Sequence, residues 1–289
     1  ACLSTGDYQG AEVFLRQNVE LLQGDLIRER CGVAGFPAAM SRSYLAWALA
    51  ERGSFDEGMV NGQEGVRMAK ELDHTWSFVT ASWGLASLYT TNGEPERALE
   101  ILEHALALSR EWSLGALTPG VMGSLGYAYA MSGRVCDGLA MLEEALRAAE
   151  GSGRLAFHSL LVVYLGEVFV LADRLEYARA VAERALALAR ERGERGVEAW
   201  ALRLLAEIVS RSPTSEGDKI ASDYRAAMAL AGELGMRPLI ARCHLGLGHA
   251  YRRVENFSKA NEHLREAVRL FREMRMHSWL DKAEHELST

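Results

Sequence analysis

The side chains with the most chemical reach gather near the C-terminal end. His244 and His249 stand five apart, and His263 follows on a later stretch. Two imidazoles on one helix face a shared metal at a spacing of about four, so this spacing does not make a pair. Leu245-Gly246-Leu247-Gly248-His249 has the glycine content of a phosphate loop. Such a loop follows a strand and carries a third glycine, and neither is present. Asp281 and His285 lie one turn apart and read as a surface pair. No Ser-His-Asp, Cys-His or paired-carboxylate arrangement stands out from the 39 acidic residues, which read as solvated helix faces. No catalytic residue, metal ligand or cofactor is therefore expected. The four cysteines, at 2, 31, 136 and 243, have neither metal nor redox spacing. They read as small buried hydrophobes in a reducing, cytoplasmic setting.

What positions these side chains is a repeat. The stretch Ser82 to Ser109 reads as two helices joined by a turn at Gly93, and the pattern returns at Gly133 and Asp173, each 40 residues on. Five residues after each turn stands Ala98, Gly138 or Ala178, and twelve after stands Ala105, Ala145 or Ala185. Seven before stands Ala86, Gly126 or Gly166, behind Leu85, Leu125 or Leu165. Four before stands Tyr89, Tyr129 or Phe169. A left-handed residue lets one helix stop and the next start, which glycine does without steric cost. Small residues let the two helices approach, where larger ones would overpack by roughly 1–3 kcal/mol. One hairpin cannot bury its apolar face alone, so copies must stack.

The period predicts an all-α fold, a right-handed α-solenoid spanning 1–289. It comprises a partial first repeat at 1–24, hairpins at about 38–70, 75–110, 117–150, 155–192, 196–233 and 238–274, and a cap helix at 278–287. Pro37, Pro95, Pro119 and Pro238 fall where helices would begin, and Pro213 falls in an enlarged turn at 211–218. Gly58, Gly62 and Gly65 on one side of a helix predict either a weak helix or a very close contact. The first repeat lacks most of its first helix, so the chain is expected to be a piece of a longer protein.

At this point the sequence resembles the tetratricopeptide repeat family, whose signature is a large residue, Leu-Gly, Tyr, then Ala and Ala across the turn. Met122, Leu125, Gly126, Tyr129, Gly138 and Ala145 follow that order. The period of about 40 exceeds the family's 34, and the proline closing the second helix is absent. The runs 237–254 and 190–208 are similar to C-terminal repeat arrays of large bacterial signalling proteins. Those carry class III nucleotide cyclase and AAA-type ATPase modules. The resemblance implies a sensing or scaffolding arm, and covers no catalytic residue.

In that family the first helix of each hairpin lines the concave face. Counting back ten, nine and six residues from each turn places Tyr44, Trp47, Trp83, Tyr127, Tyr164, Glu167, Arg203, Glu207 and His249 there, with Arg252 three before its turn. The groove would be aromatic in its N-terminal half and charged in its C-terminal half. Aromatics beside arginine suit an interface hot spot, unless they serve as inter-repeat core.

The net charge of −7 and a pI near 5.7 argue against nucleic acid, and no apolar run approaches the ~18 residues of a membrane span. The expected partner is a protein or peptide segment, or neighbouring domains of the parent chain. A small effector or short peptide is the alternative. Pairing of two copies through the truncated first repeat is also expected as an option.

Overall fold

The computed structural model describes residues 2–153, 156–211 and 217–288, with side chains in the last segment from residue 220. Among these the chain is all helix, arranged as antiparallel hairpins. The pairs are α1 (Cys2–Thr5) with α2 (Tyr8–Leu21), α3 (Pro37–Arg52) with α4 (Phe55–Glu71), and α5 (Thr75–Asn92) with α6 (Pro95–Glu111). Then come α7 (Thr118–Met131) with α8 (Val135–Gly151), and α9 (His158–Leu171) with α10 (Leu175–Arg192). Last are α11 (Arg195–Arg211) with α12 (Gly217–Leu234), α13 (Arg237–Arg253) with α14 (Phe257–Glu273), and the single helix α15 (His277–Ser288). The enlarged turn around Pro213 lies outside the described residues.

Local chemistry accounts for these boundaries. Gly93 closes α5 at φ 85°, and its N–H bonds back to the carbonyls of Tyr89 and Thr90. Asp173 and Glu255 hold the same left-handed place at φ 56° and 58°. Pro37, Pro95, Pro119 and Pro238 occupy first-turn positions, where a missing N–H removes no helical bond. At the small positions the backbones nearly touch: a Cβ on Gly138 would lie 2.6 Å from the Gly126 carbonyl oxygen. The three glycines of α4 belong to a close contact. A Cβ on Gly65 would lie 3.0 Å from the Ala39 carbonyl oxygen, and one on Gly58 would lie 2.5 Å from Leu88.

The stack also closes on itself. Packing between neighbours in sequence is joined by packing of α1 on α11, α3 on α13 and α5 on α15. Each closure meets a residue without a side chain. A Cβ on Gly6 would lie 2.5 Å from the backbone nitrogen of Gly196, and one on Gly196 would overlap the Tyr8 hydroxyl. Gly53 seats the Met274 thioether, and Gly93 seats the Trp279 indole. Outside, Arg275 bonds Asp56 at 2.6 Å. The helix expected as an end cap, α15, does pack on α14, but it also reaches inward to α5.

Gly196→Ala tests this closure. Alanine normally favours a helix by about 0.5–1 kcal/mol, but here it collides with the buried Tyr8 ring. We expect a loss of roughly 1–3 kcal/mol in urea unfolding. Gly232→Ala, which would meet no atom within 4 Å, should be neutral or stabilising. Equal effects from both variants would refute the contact.

Candidate binding site

The first helices do line the inside of the coil, but the aromatic half is filled. Trp47 and Trp83 approach at 5.8 Å between ring centroids, and Phe157 packs on both, at 5.3 and 5.0 Å. Phe157 sits at φ 62° just before α9, a conformation that costs a bulky residue energy and is held here by the two indoles. The Trp83 indole N–H donates to the Ser124 hydroxyl at 2.8 Å. Tyr127 stacks on Tyr164 at 4.4 Å and 3°. Trp47, Trp83 and Tyr127 are all buried, so these aromatics form a plug and not an exposed stripe. The cavities left around the plug are about 30 Å³ each, room for a water or two.

Behind the plug lies a buried carboxyl. Glu51, in the last turn of α3, accepts a hydrogen bond at 3.1 Å from the indole N–H of Trp200 on α11. Burial lifts its pKa to about 7, against the downward pull of Trp200, Trp47 and Arg242.

The charged half keeps open space. A cavity of about 420 Å³ is bounded by α7, α9, α11, α12, α13 and α15. On one wall Arg203 bonds Glu207 at 2.5 Å and also Glu167. Burial would raise the Glu207 carboxyl, but the charge and hydrogen bond of Arg203, with Arg242 and Arg211, hold it well below the usual carboxylate range. On the other wall Arg242 lies between two indoles, 4.9 Å from Trp200 and 4.8 Å from Trp279. Lys282 stands 4.7 Å from the same Trp279 ring.

Of the residues expected on the concave face, Tyr127, Glu167, Arg203, Glu207 and His249 line this cavity. Trp47, Trp83 and Tyr164 belong to the plug or its edge. Tyr44 is half-buried and does not line the cavity. Arg252 pairs at 3.8 Å with Glu286 of α15, which also meets His249 at 3.5 Å. Sequence reasoning missed Phe157, Glu51, Arg242, Trp279 and Lys282. Arg242 was within reach, because it lies on the same helical face one turn before the positions counted. Trp279 and Lys282 follow the last repeat and so have no register to count from.

Packing brings His244 and His263 together, with their Nδ1 atoms 3.0 Å apart and Tyr251 stacked on His263. Burial, and then the neighbouring His263, push the His244 pKa down to about 4. Among the described residues no group of three or more His, Cys, Asp or Glu is placed to hold a metal. No described helix is long and apolar enough to cross a membrane.

Comparison with known proteins agrees with this architecture. The tetratricopeptide repeat family matches residues 84–111. No curated protein sequence matches the chain. Among solved structures, the chain is similar to a Rap protein complexed with competence and sporulation factor, at TM-score 0.63 and 12% identity, covering 97% of this chain and 85% of that one. It is similar to NprR in complex with its cognate peptide NprX, at TM-score 0.65 and 13% identity, covering 97% and 81%. It is also similar to Bacillus thuringiensis PlcR in complex with the peptide PapR7 and DNA, at TM-score 0.58 and 13% identity, covering 88% and 99%. The fold is thus that of tetratricopeptide-like helical repeats, an all-α solenoid.

Glu51 makes the closure sensitive to pH. Its folded pKa lies above the ~4.3 of an unfolded glutamate, so the folded state holds a proton that the unfolded state has released. The stability this gives is complete below pH ~4 and lost as pH rises through about 7. Relative to Glu51→Gln, the wild type should lose on the order of 3 kcal/mol between about pH 4 and 8. His244 acts in the opposite sense over part of this range, but it is common to both proteins and cancels. A pH-independent difference between the two unfolding curves would contradict the assignment.

Proposed function

We propose that the chain is a non-catalytic interaction domain whose channel receives a short peptide or a compact partner segment, in the cavity walled by α9, α11, α13 and α15. The cavity itself carries this reading. At about 420 Å³ it falls within the ~300–1,000 Å³ of small-ligand sites, and it joins apolar walls to a few fixed charged groups. Around the aromatic plug the channel keeps only spaces of about 30 Å³, which favours a compact ligand in the larger cavity over a long segment threaded through the coil. The three similar structures described above were each solved with a peptide or signalling factor, and this supports a peptide over other small molecules. In a longer signalling protein such a domain would act as a sensing arm. Ligand binding would bias how tightly the coil closes, and so what neighbouring domains meet.

The test is thermal unfolding of the chain with pools of short synthetic peptides, and with nucleotides and sugars as comparison classes. Peptides should raise the melting temperature, since a ligand at 100 times its Kd adds about 2.7 kcal/mol. Leu171→Trp, at a half-exposed position lining the cavity, should weaken the shift about tenfold by narrowing the space. A shift from nucleotides or sugars alone would refute the peptide reading. A peptide shift indifferent to Leu171→Trp would refute the site.

A further inference from the structure

The charges lining the cavity do not balance. Arg203, Arg211, Arg242, Arg253 and Lys282 face two carboxylates, Glu167 and Glu207. Three of the cations are provided for. Arg203 takes both carboxylates. Arg211 bonds Glu207 at 3.0 Å and approaches the Val170 carbonyl at 3.4 Å. Arg253 bonds the carbonyl oxygens of Ser210 and Arg211 at 2.5 and 3.0 Å, at the C-terminus of α11, where the helix dipole favours a cation.

Arg242 and Lys282 are left over. Among carboxylates of the described residues Arg242 reaches only Glu167, at 3.3 Å, and that carboxylate is already engaged by Arg203; its other polar partner is the neutral Tyr127 hydroxyl. The Lys282 ammonium has no carboxylate within ion-pair distance among the described residues. Both cations lie against the Trp279 ring, at 4.8 and 4.7 Å. Burial, and then the charge of Arg242, push the Lys282 pKa below its usual value, with Glu96 opposing from farther off. Arg242 is largely covered and Lys282 is exposed at the cavity rim, yet both lie on one indole. Like charges so placed repel each other, and a single anion between them would offset both.

We infer that the cavity recognises a carboxylate on its ligand, held between Arg242 and Lys282 beside Trp279. This rests on the function proposed above and names the chemistry of the same site. Arg242 offers a planar fork that meets two oxygens, fixed in orientation by Trp200 and Trp279, and Lys282 adds a point charge. A monoanion suits the site better than a phosphate dianion, because Glu167 and Glu207 share the space. The apolar wall of Val170, Leu171 and Leu245 would take the adjoining aliphatic or aromatic part of the ligand. The carboxylate could be a peptide C-terminus or an acidic side chain.

Melting curves with four peptide pools distinguish these sources: free acid or C-terminal amide, each with or without Asp and Glu. Succinate, titrated at constant ionic strength, probes the anion site alone. Wild type should respond to at least one pool bearing a carboxylate and not to the acid-free amide pool. Lys282→Gln, at an exposed position, should weaken the response about tenfold, and Lys282→Arg should preserve it. Loss on amidation would assign the C-terminus, and loss on removing Asp and Glu would assign the side chain. Equal binding of the acid-free amide pool would overturn the inference and leave the peptide reading standing. A Lys282-dependent response to succinate with none to any peptide would uphold the anion site and remove the peptide reading. No response to either probe would end both.

Discussion

The structure depends on three glycines that leave room for the far side of the coil to approach, as backbone at Gly6 and as a seated side chain at Gly53 and Gly93. A helical-repeat coil is ordinarily open, since each hairpin touches only its neighbours. Here the coil shuts because Gly6 meets Gly196, Gly53 meets Met274 and Gly93 meets Trp279. A Cβ on Gly6 would press on the Gly196 backbone and hold the two sides apart, while one on Gly53 or Gly93 would displace the side chain seated there. Closure converts what would be a solvent-filled groove into an interior, and the interior must then be filled or charged in a balanced way.

The two halves of the interior meet that demand differently. The N-terminal half is filled by aromatics, with Phe157 forced into a left-handed conformation so that its ring can complete the plug. The C-terminal half carries charge. Arg203, Glu167 and Glu207 are withdrawn from water, and such groups persist only when each has partners. Arg242 is partly provided for by two indole faces, an attraction that strengthens away from water. Lys282 is the least compensated. The plug thus confines any ligand to the end of the channel where the electrostatics are unfinished, and α15 supplies one wall of it.

Much of the architecture was legible in the sequence. The recurrence of Gly93, Gly133 and Asp173 set the turns, and Ala98, Gly138 and Ala178 set the close helix contacts, because both follow from local sterics. The counting rule also separated an aromatic half from a charged half. What it could not give was the closure. Contacts such as Glu51 with Trp200, 149 residues apart, leave no periodic trace. Without closure, Trp47 and Trp83 read as an exposed stripe when they are the plug. Lys282 and Trp279 read as parts of an end cap when they face the cavity. His244 and His263 likewise sit on different helices and meet only through packing.

The closure is therefore the claim to measure first. Spin labels at Asp56→Cys and Arg275→Cys would report it, with Cys2, Cys31 and Cys136 replaced by serine, since of the four cysteines expected to be buried only Cys243 is, and Cys31 and Cys136 are exposed. A closed coil holds these two positions side by side, so the doubly labelled protein should show strong dipolar broadening that both single-label controls lack. A spectrum equal to the sum of the two single-label spectra would mean that the coil is open in solution. The plug, the buried Glu51 and the bounded cavity would then all have to be abandoned together.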